Sequence, residues 1–153
     1  MRKAIFILFL SFGLQAQVKV GDTLPTFTLK NTNNEVVSSA SFKNKHVLID
    51  FWASWCGTCR KENKKLVSLY KNTDSSILEI VGVSVDKDLV KWKKAIDKDG
   101  IKFTQLNDPD GFDAKTAILF GVEELPSQFL FDDKGILVAF NPSEEELNKL
   151  LKK

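Results

Sequence analysis

Seven residues, His46-Val47-Leu48-Ile49-Asp50-Phe51-Trp52, constrain this chain more than any others. Polar and apolar positions do not alternate along them, as they would in a strand with one wet face. Such a run reads as a central strand covered on both sides, the arrangement of a layered α/β sheet. Asp50 is the one acid in its interior, and a carboxylate there costs free energy unless it has a partner or a task. Four residues after Trp52 comes Cys56-Gly57-Thr58-Cys59, where the strand pattern gives way to a helical one.

The rest of the chain supplies layers for such a sheet. Val20–Leu29, with Pro25 and the alternation of Phe27 and Leu29, reads as a short edge strand. Asn31–Asn34 reads as a turn and Val36-Val37 as a returning strand, so a small N-terminal β-hairpin precedes the central strand. A helix is expected from Cys56 to Tyr70 and a second buried strand from Ile77 to Val85. Asp86 is expected to cap a helix over Asp88–Lys98, with Leu89, Trp92 and Ile96 on one face and Gly100 at its end. Phe103–Leu106 predicts a brief strand, and a short helix falls between Phe112 and Phe120. Ser127–Phe131 and Ile136–Phe140 flank Asp132-Asp133-Lys134-Gly135, a hairpin signal. Ser143 and Glu146 form a capping box for a last helix that buries Leu147, Leu150 and Leu151. The sum is an α/β fold: a mixed central sheet flanked by helices, without internal repeats or long linkers.

Residues 1–16 are of another kind. Arg2 and Lys3 precede a nearly unbroken apolar run from Ala4 to Leu14, and Ala16 offers a small residue for cleavage. This is the pattern of a secretory signal peptide cut before Gln17, which leaves 17–153 as one domain. The run is shorter than the roughly 20 residues of a spanning helix, although an uncleaved membrane anchor is the alternative. The chain has 22 basic and 20 acidic residues, and Arg2 and Lys3 account for the excess. The remainder is formally neutral, so composition points to no nucleic acid partner. Export would place the two thiols, too few to staple a small domain, outside the reducing cytosol.

Cys56 falls at a helix start, where unpaired amide N–H groups and the helix dipole favour a thiolate. Cys59, one turn later, is placed to close a disulfide with it and to resolve a mixed disulfide. Arg60 and Lys61 add little as surface charges. A three-residue step closes almost no loop, so stability is a poor reason for such a disulfide. A zinc site needs four ligands, and only His46 could join the two thiols. Arg60 stands where covalent haem attachment requires His. The pair therefore reads as a redox centre with no metal and no cofactor. Asp50, six residues before Cys56, is a candidate proton acceptor for Cys59, its pKa raised by burial; an acid reaching water at a sheet edge is the alternative. Glu62 shares a helix face with Cys59, Leu66, Leu69 and Tyr70, while Lys61, Lys64, Lys65 and Ser68 take the other. It points towards the apolar side or bends out to solvent at the edge. Trp55 is the better candidate for a substrate-docking rim, whereas Trp52 and Trp92 read as core and His46 as structural.

Residues Ile49 to Glu62 (IDFWASWCGTCRKE) resemble the active-site segment of thioredoxins, and most nearly that of the exported TlpA/ResA-like branch. Gly21-Asp22 with Pro25–Leu29 resembles that branch's N-terminal hairpin, and Leu125–Gly135 its proline loop and following hairpin. The resemblance implies a thioredoxin fold, a cis bond before Pro126, and an extended substrate that pairs with Leu125 beside Cys56. It implies that Asp50 accepts a proton during exchange and that Glu62 lies in a cavity tuning thiol acidity and partner choice. A membrane-embedded thiol–disulfide transporter is then the electron donor, with disulfide- or thiol-containing exported proteins as substrates, such as apocytochrome c. Thr58 stands where the branch mostly carries proline, and Ser127 where Thr is commoner. CxxC potentials run from roughly −270 to −120 mV, and Thr58 does not place this one. The reading is dithiol–disulfide exchange in the reducing direction. A thiol oxidase or isomerase of the same fold is the main alternative. A thiol peroxidase would place Pro and Thr closely before its cysteine, and a copper carrier would add a His after Cys59.

Overall fold

The computed structural model describes residues 17–42 and 44–151. The expected signal peptide and the side chain of Leu150 lie outside the described residues. Seven strands form one sheet: β1 (Thr28–Asn31), β2 (Val36–Ser38), β3 (His46–Trp52), β4 (Leu78–Ser84), β5 (Thr104–Asn107), β6 (Ser127–Phe131) and β7 (Leu137–Phe140). Their order is β2-β1-β5-β4-β3-β6-β7. β3, β4 and β5 run parallel, and the remaining pairings are antiparallel. Four α-helices accompany them among the described residues: α1 (Gly57–Asn72), α2 (Leu89–Asp99), α3 (Lys115–Phe120) and α4 (Glu144–Leu151).

β3 is the central strand. It pairs with β4 along its whole length and with β6 from Val47 to Phe51, and every residue after His46 is buried. Its pleat sends Ile49 and Phe51 to one face and Leu48, Asp50 and Trp52 to the other. On the first face Phe51, Phe129 and Phe131 meet Phe120 of α3, with ring centroids 5.1–6.3 Å from it. Phe27 closes the cluster at 5.9 Å, and burying a ring of this size contributes about 1.5–3 kcal/mol. α1 covers the second face, tied to α2 through Arg60 and Asp99 and flanked by α4 across a shared cleft.

Several boundaries differ from the sequence reading for identifiable reasons. The first strand begins at Thr28 rather than Val20, because Pro25 has no N–H and the preceding backbone bonds elsewhere. Gly21 N donates to Leu137 O, Leu24 N to Gly135 O, and Thr23 makes only an isolated bridge to Ile136. The cap of α2 is Asp88, whose carboxylate accepts from Val90 N and Lys91 N, not Asp86. Gly100 ends α2 at φ +69°, a left-handed conformation that glycine adopts without strain. Trp92 and Ile96 are buried as expected, but Leu89, in the first turn, is exposed. Ser143 and Glu146 form the capping box of α4, each bonding the other's backbone N–H.

Candidate active site

The site is built where β3 ends. Trp52 is the last strand residue, Ala53–Trp55 form a turn, and Cys56 is the N-cap of α1. Cys56 and Cys59 are joined as a disulfide, with Cα atoms 5.2 Å apart. The Cys59 N–H, one of the donors a helix start leaves unpaired, points at Cys56 Sγ from 3.1 Å. Thr58 Oγ1 lies 3.3 Å from the same sulfur, so this position offers a hydroxyl where proline has no donor. Cys59 is 1% exposed and Cys56 8%, which makes Cys56 the sulfur an incoming group can reach. Once the disulfide opens, a negative charge on Cys56 finds a helix dipole and a positioned amide.

The turn before Cys56 is held from two sides. Asp86, just past β4, accepts from Ser54 N at 2.8 Å, Ser54 Oγ at 2.6 Å and Ser84 Oγ at 2.8 Å. On the other side the Arg60 guanidinium donates to Ser54 O at 3.3 Å. Its remaining N–H groups engage both oxygens of Asp99, whose Oδ2 also accepts from Asn63 Nδ2 at 3.1 Å. Burial alone would push the Asp99 carboxyl up, but Arg60 and Asn63 outweigh it and hold it below the usual carboxylate range. Arg60 is therefore committed to scaffolding.

On β3, Asp50 is 1% exposed and accepts one hydrogen bond among the described residues, from Gln128 Nε2 at 3.0 Å. Burial drives its pKa up to about 7, against the Gln128 bond and with a further push from the nearby negative charge of Glu62. Glu62 is half-buried on α1 and paired with Lys65 at 2.7 Å, so it sits at the edge of the helix's inner face rather than within it. Asn63 occupies the inner position and is buried. Trp55 is 61% exposed beside Cys56, and Trp52 is core, its Nε1 donating to Gln105 Oε1 at 3.0 Å. Gln105 lies across Gly82, where any Cβ would collide with it.

The loop into β6 arrives at the same end of the sheet, because Ser127 pairs with Phe51. The Leu125–Pro126 bond is cis, both residues are half-buried, and Ser127 Oγ donates to Glu124 O at 2.8 Å. The structure thus brings Cys56, Cys59, Asp50, Trp55, Leu125 and Pro126 to one end of β3, with Glu62 at the margin. Sequence reasoning did not find the roles of Gln128, Asp99 or Asn63, and it assigned Asp86 a helix cap instead of the turn before Cys56. Gln128 had a usable signal, a polar residue inside the apolar run Ser127–Phe131. Among the described residues, no group of three or more His, Cys, Asp and Glu side chains gathers to hold a metal.

A model of the AhpC/TSA family matches residues 20–140. The chain belongs to that family. Among its relatives in sequence is the thiol-disulfide oxidoreductase ResA of Bacillus cereus, 28% identical over 145 residues, which cover 93% of this chain and 82% of ResA. In structure it is similar to the thioredoxin domain of a thiol-disulfide oxidoreductase from Bacteroides vulgatus. The TM-score is 0.79 at 30% identity, over 89% of this chain and 97% of that one. A thiol-disulfide oxidoreductase from Bacteroides fragilis gives 0.75 at 32% identity, over 86% and 98%. This AhpC/TSA family member has the thioredoxin fold and is a thiol–disulfide oxidoreductase with its cysteine pair at 56 and 59.

Proposed function

We propose that the protein is a reductant of disulfides in exported polypeptides, with Cys56 as nucleophile, Cys59 as resolving thiol and Asp50 as the proton acceptor for Cys59. The observation that carries this reading is the placement of the Cys56 sulfur on the α1 N-cap, facing the Cys59 amide. In the reduced enzyme the Cys56 thiolate attacks one sulfur of a substrate disulfide. That S–S bond breaks, one substrate thiolate leaves and takes a proton from solvent, and a mixed disulfide remains. Cys59 then passes its proton to the Asp50 carboxylate and attacks Cys56 Sγ. The mixed S–S bond breaks, the second substrate sulfur leaves as a thiolate and takes a proton from solvent, and the Cys56–Cys59 disulfide closes, two electrons having moved to the substrate.

Asp50 suits this task because a base with a pKa of about 7 accepts and returns a proton near neutral pH. Trp55 and the Leu125–Pro126 edge flank the sulfur as docking surfaces for an extended segment. The apolar stretch of residues 4–14 supports export. A membrane-embedded thiol–disulfide transporter would then return the electrons, and apocytochrome c or other envelope proteins would receive them.

Equilibration with glutathione buffers of known poise tests the direction. A potential at the reducing end of the CxxC range, near about −270 mV, is expected, and a value near about −120 mV would make the protein an oxidant instead. Cys59→Ser is expected to accumulate mixed disulfides with envelope polypeptides, and recovery of none would contradict the mechanism.

A further inference from the structure

Next to Trp55, on the side away from the proline loop's strand, a groove of about 250 Å³ runs between the active-site turn and α2. Trp55 forms one wall and Lys91, Lys94 and Lys98 the other, with Ala95 between them. The lysines recur at intervals of three and four, so they stand in one row along the helix, and all are exposed. Asp86 and Asp99, the acids behind the groove, are engaged by other partners, and Asp97, exposed on α2, forms no ion pair among the described residues. Asp99 is buried against Arg60 and Asn63, and Asp86 is buried under Ser54 and Ser84. Arg60 also reaches the groove, but its charge is matched by Asp99. Lys91 makes a loose pair with exposed Asp88 at 3.6 Å, and Lys94 and Lys98 pair with no acid among the described residues. In a chain that is formally neutral beyond its first three residues, this is a local concentration of positive charge beside the nucleophile.

We infer that this groove docks an acidic segment flanking the disulfide of the polypeptide substrate. The inference rests on the disulfide-exchange reading above and adds a substrate class to it. Trp55 supplies a broad apolar contact for the residue beside the reacting cysteine, and the lysine row then meets carboxylates one to two turns of extended chain further on. Exposed charges of this kind act chiefly on encounter rate and on choice among substrates, and salt screens them.

Two peptide disulfides test the inference, identical except that one carries four Glu residues beside its cysteine and the other four Gln. The reduced protein, mixed with each in single turnover at low salt, is expected to react with the Glu peptide roughly five- to tenfold faster. That ratio is expected to fall towards one in 0.5 M salt (screening length about 4 Å) and in Lys94→Glu/Lys98→Glu. Lys93→Glu/Lys102→Glu makes the same change of net charge outside the groove and is expected to keep it. Because each readout is a ratio within one protein, loss of folded material cannot imitate the effect. Equal rates for the two peptides, or a preference that survives in Lys94→Glu/Lys98→Glu, would overturn the inference alone. Failure of the wild-type protein to reduce either peptide would overturn the disulfide-exchange reading beneath it.

Discussion

Asp50 and Asp86 are both almost fully buried at the end of the sheet that carries the cysteines, yet the fold provides for them in opposite ways. Asp86 accepts three hydrogen bonds and uses both of its oxygens to fix Ser54 and Ser84. Asp50 accepts one, from Gln128, and has the negative Glu62 nearby. A buried carboxylate saturated with donors is part of the scaffold. One left short of donors keeps its proton until near pH 7, and so becomes available for proton transfer. Burial of an acid in this fold therefore does not announce its role, and the number of donors facing it does.

The largest expected effect falls on Asp50. Its folded-state pKa, about 7, lies above its unfolded value near 3.8, so the stability it contributes is complete below about pH 4. That contribution is lost as pH rises through 7. A shift of this size corresponds to at most about 4 kcal/mol. Asp50→Asn is expected to be more stable than wild type at pH 8 by a large part of that amount and nearly equal to it at pH 4, as read from urea titrations. It should also slow resolution by Cys59. Equal stability at both pH values would dissolve the contrast between the two acids.

Asp86→Ala is expected to act with the opposite sign, leaving three donors without their acceptor. A loss of about 3 kcal/mol follows at pH 8, the same pH at which Asp50→Asn is expected to gain stability. A neutral result would mean that the turn before Cys56 does not depend on this carboxylate. The smallest effect belongs to Glu62→Gln. Removing that charge should lower the Asp50 pKa and move the pH profile of the resolving step towards acid, changing its rate at neutral pH roughly twofold or less. An unmoved profile would detach Glu62 from the site.

How much of this was legible in the sequence depended on the range of the interaction. The buried β3, the N-cap position of Cys56, the capping box at Ser143 and the hairpin around Gly135 are each specified by residues within a few positions of one another. The register that sets Gln128 opposite Asp50 joins residues 78 apart and is decided by the whole sheet. Asp86 was misread as a cap for the same reason, since its partner Ser54 is 32 residues away while Asp88 is the nearer choice for α2. Spacing left Glu62 either on the apolar side of its helix or bent out at the edge; Asn63 is the buried residue there, and Lys65 pairs with Glu62 at 2.7 Å. The strand expected from Val20 failed because edge pairing is a property of what lies alongside, here Gly135 and Leu137, not of the segment itself.

The exchange chemistry depends on the helix start making Cys56 acidic. The reduced protein can be alkylated with iodoacetamide across a pH series, with the modified cysteine identified by mass. The account predicts that Cys56 reacts first, with a midpoint well below the ordinary thiol value of about 8.5, while buried Cys59 stays unmodified. A midpoint near about 8.5, or equal reaction of the two cysteines, would contradict it.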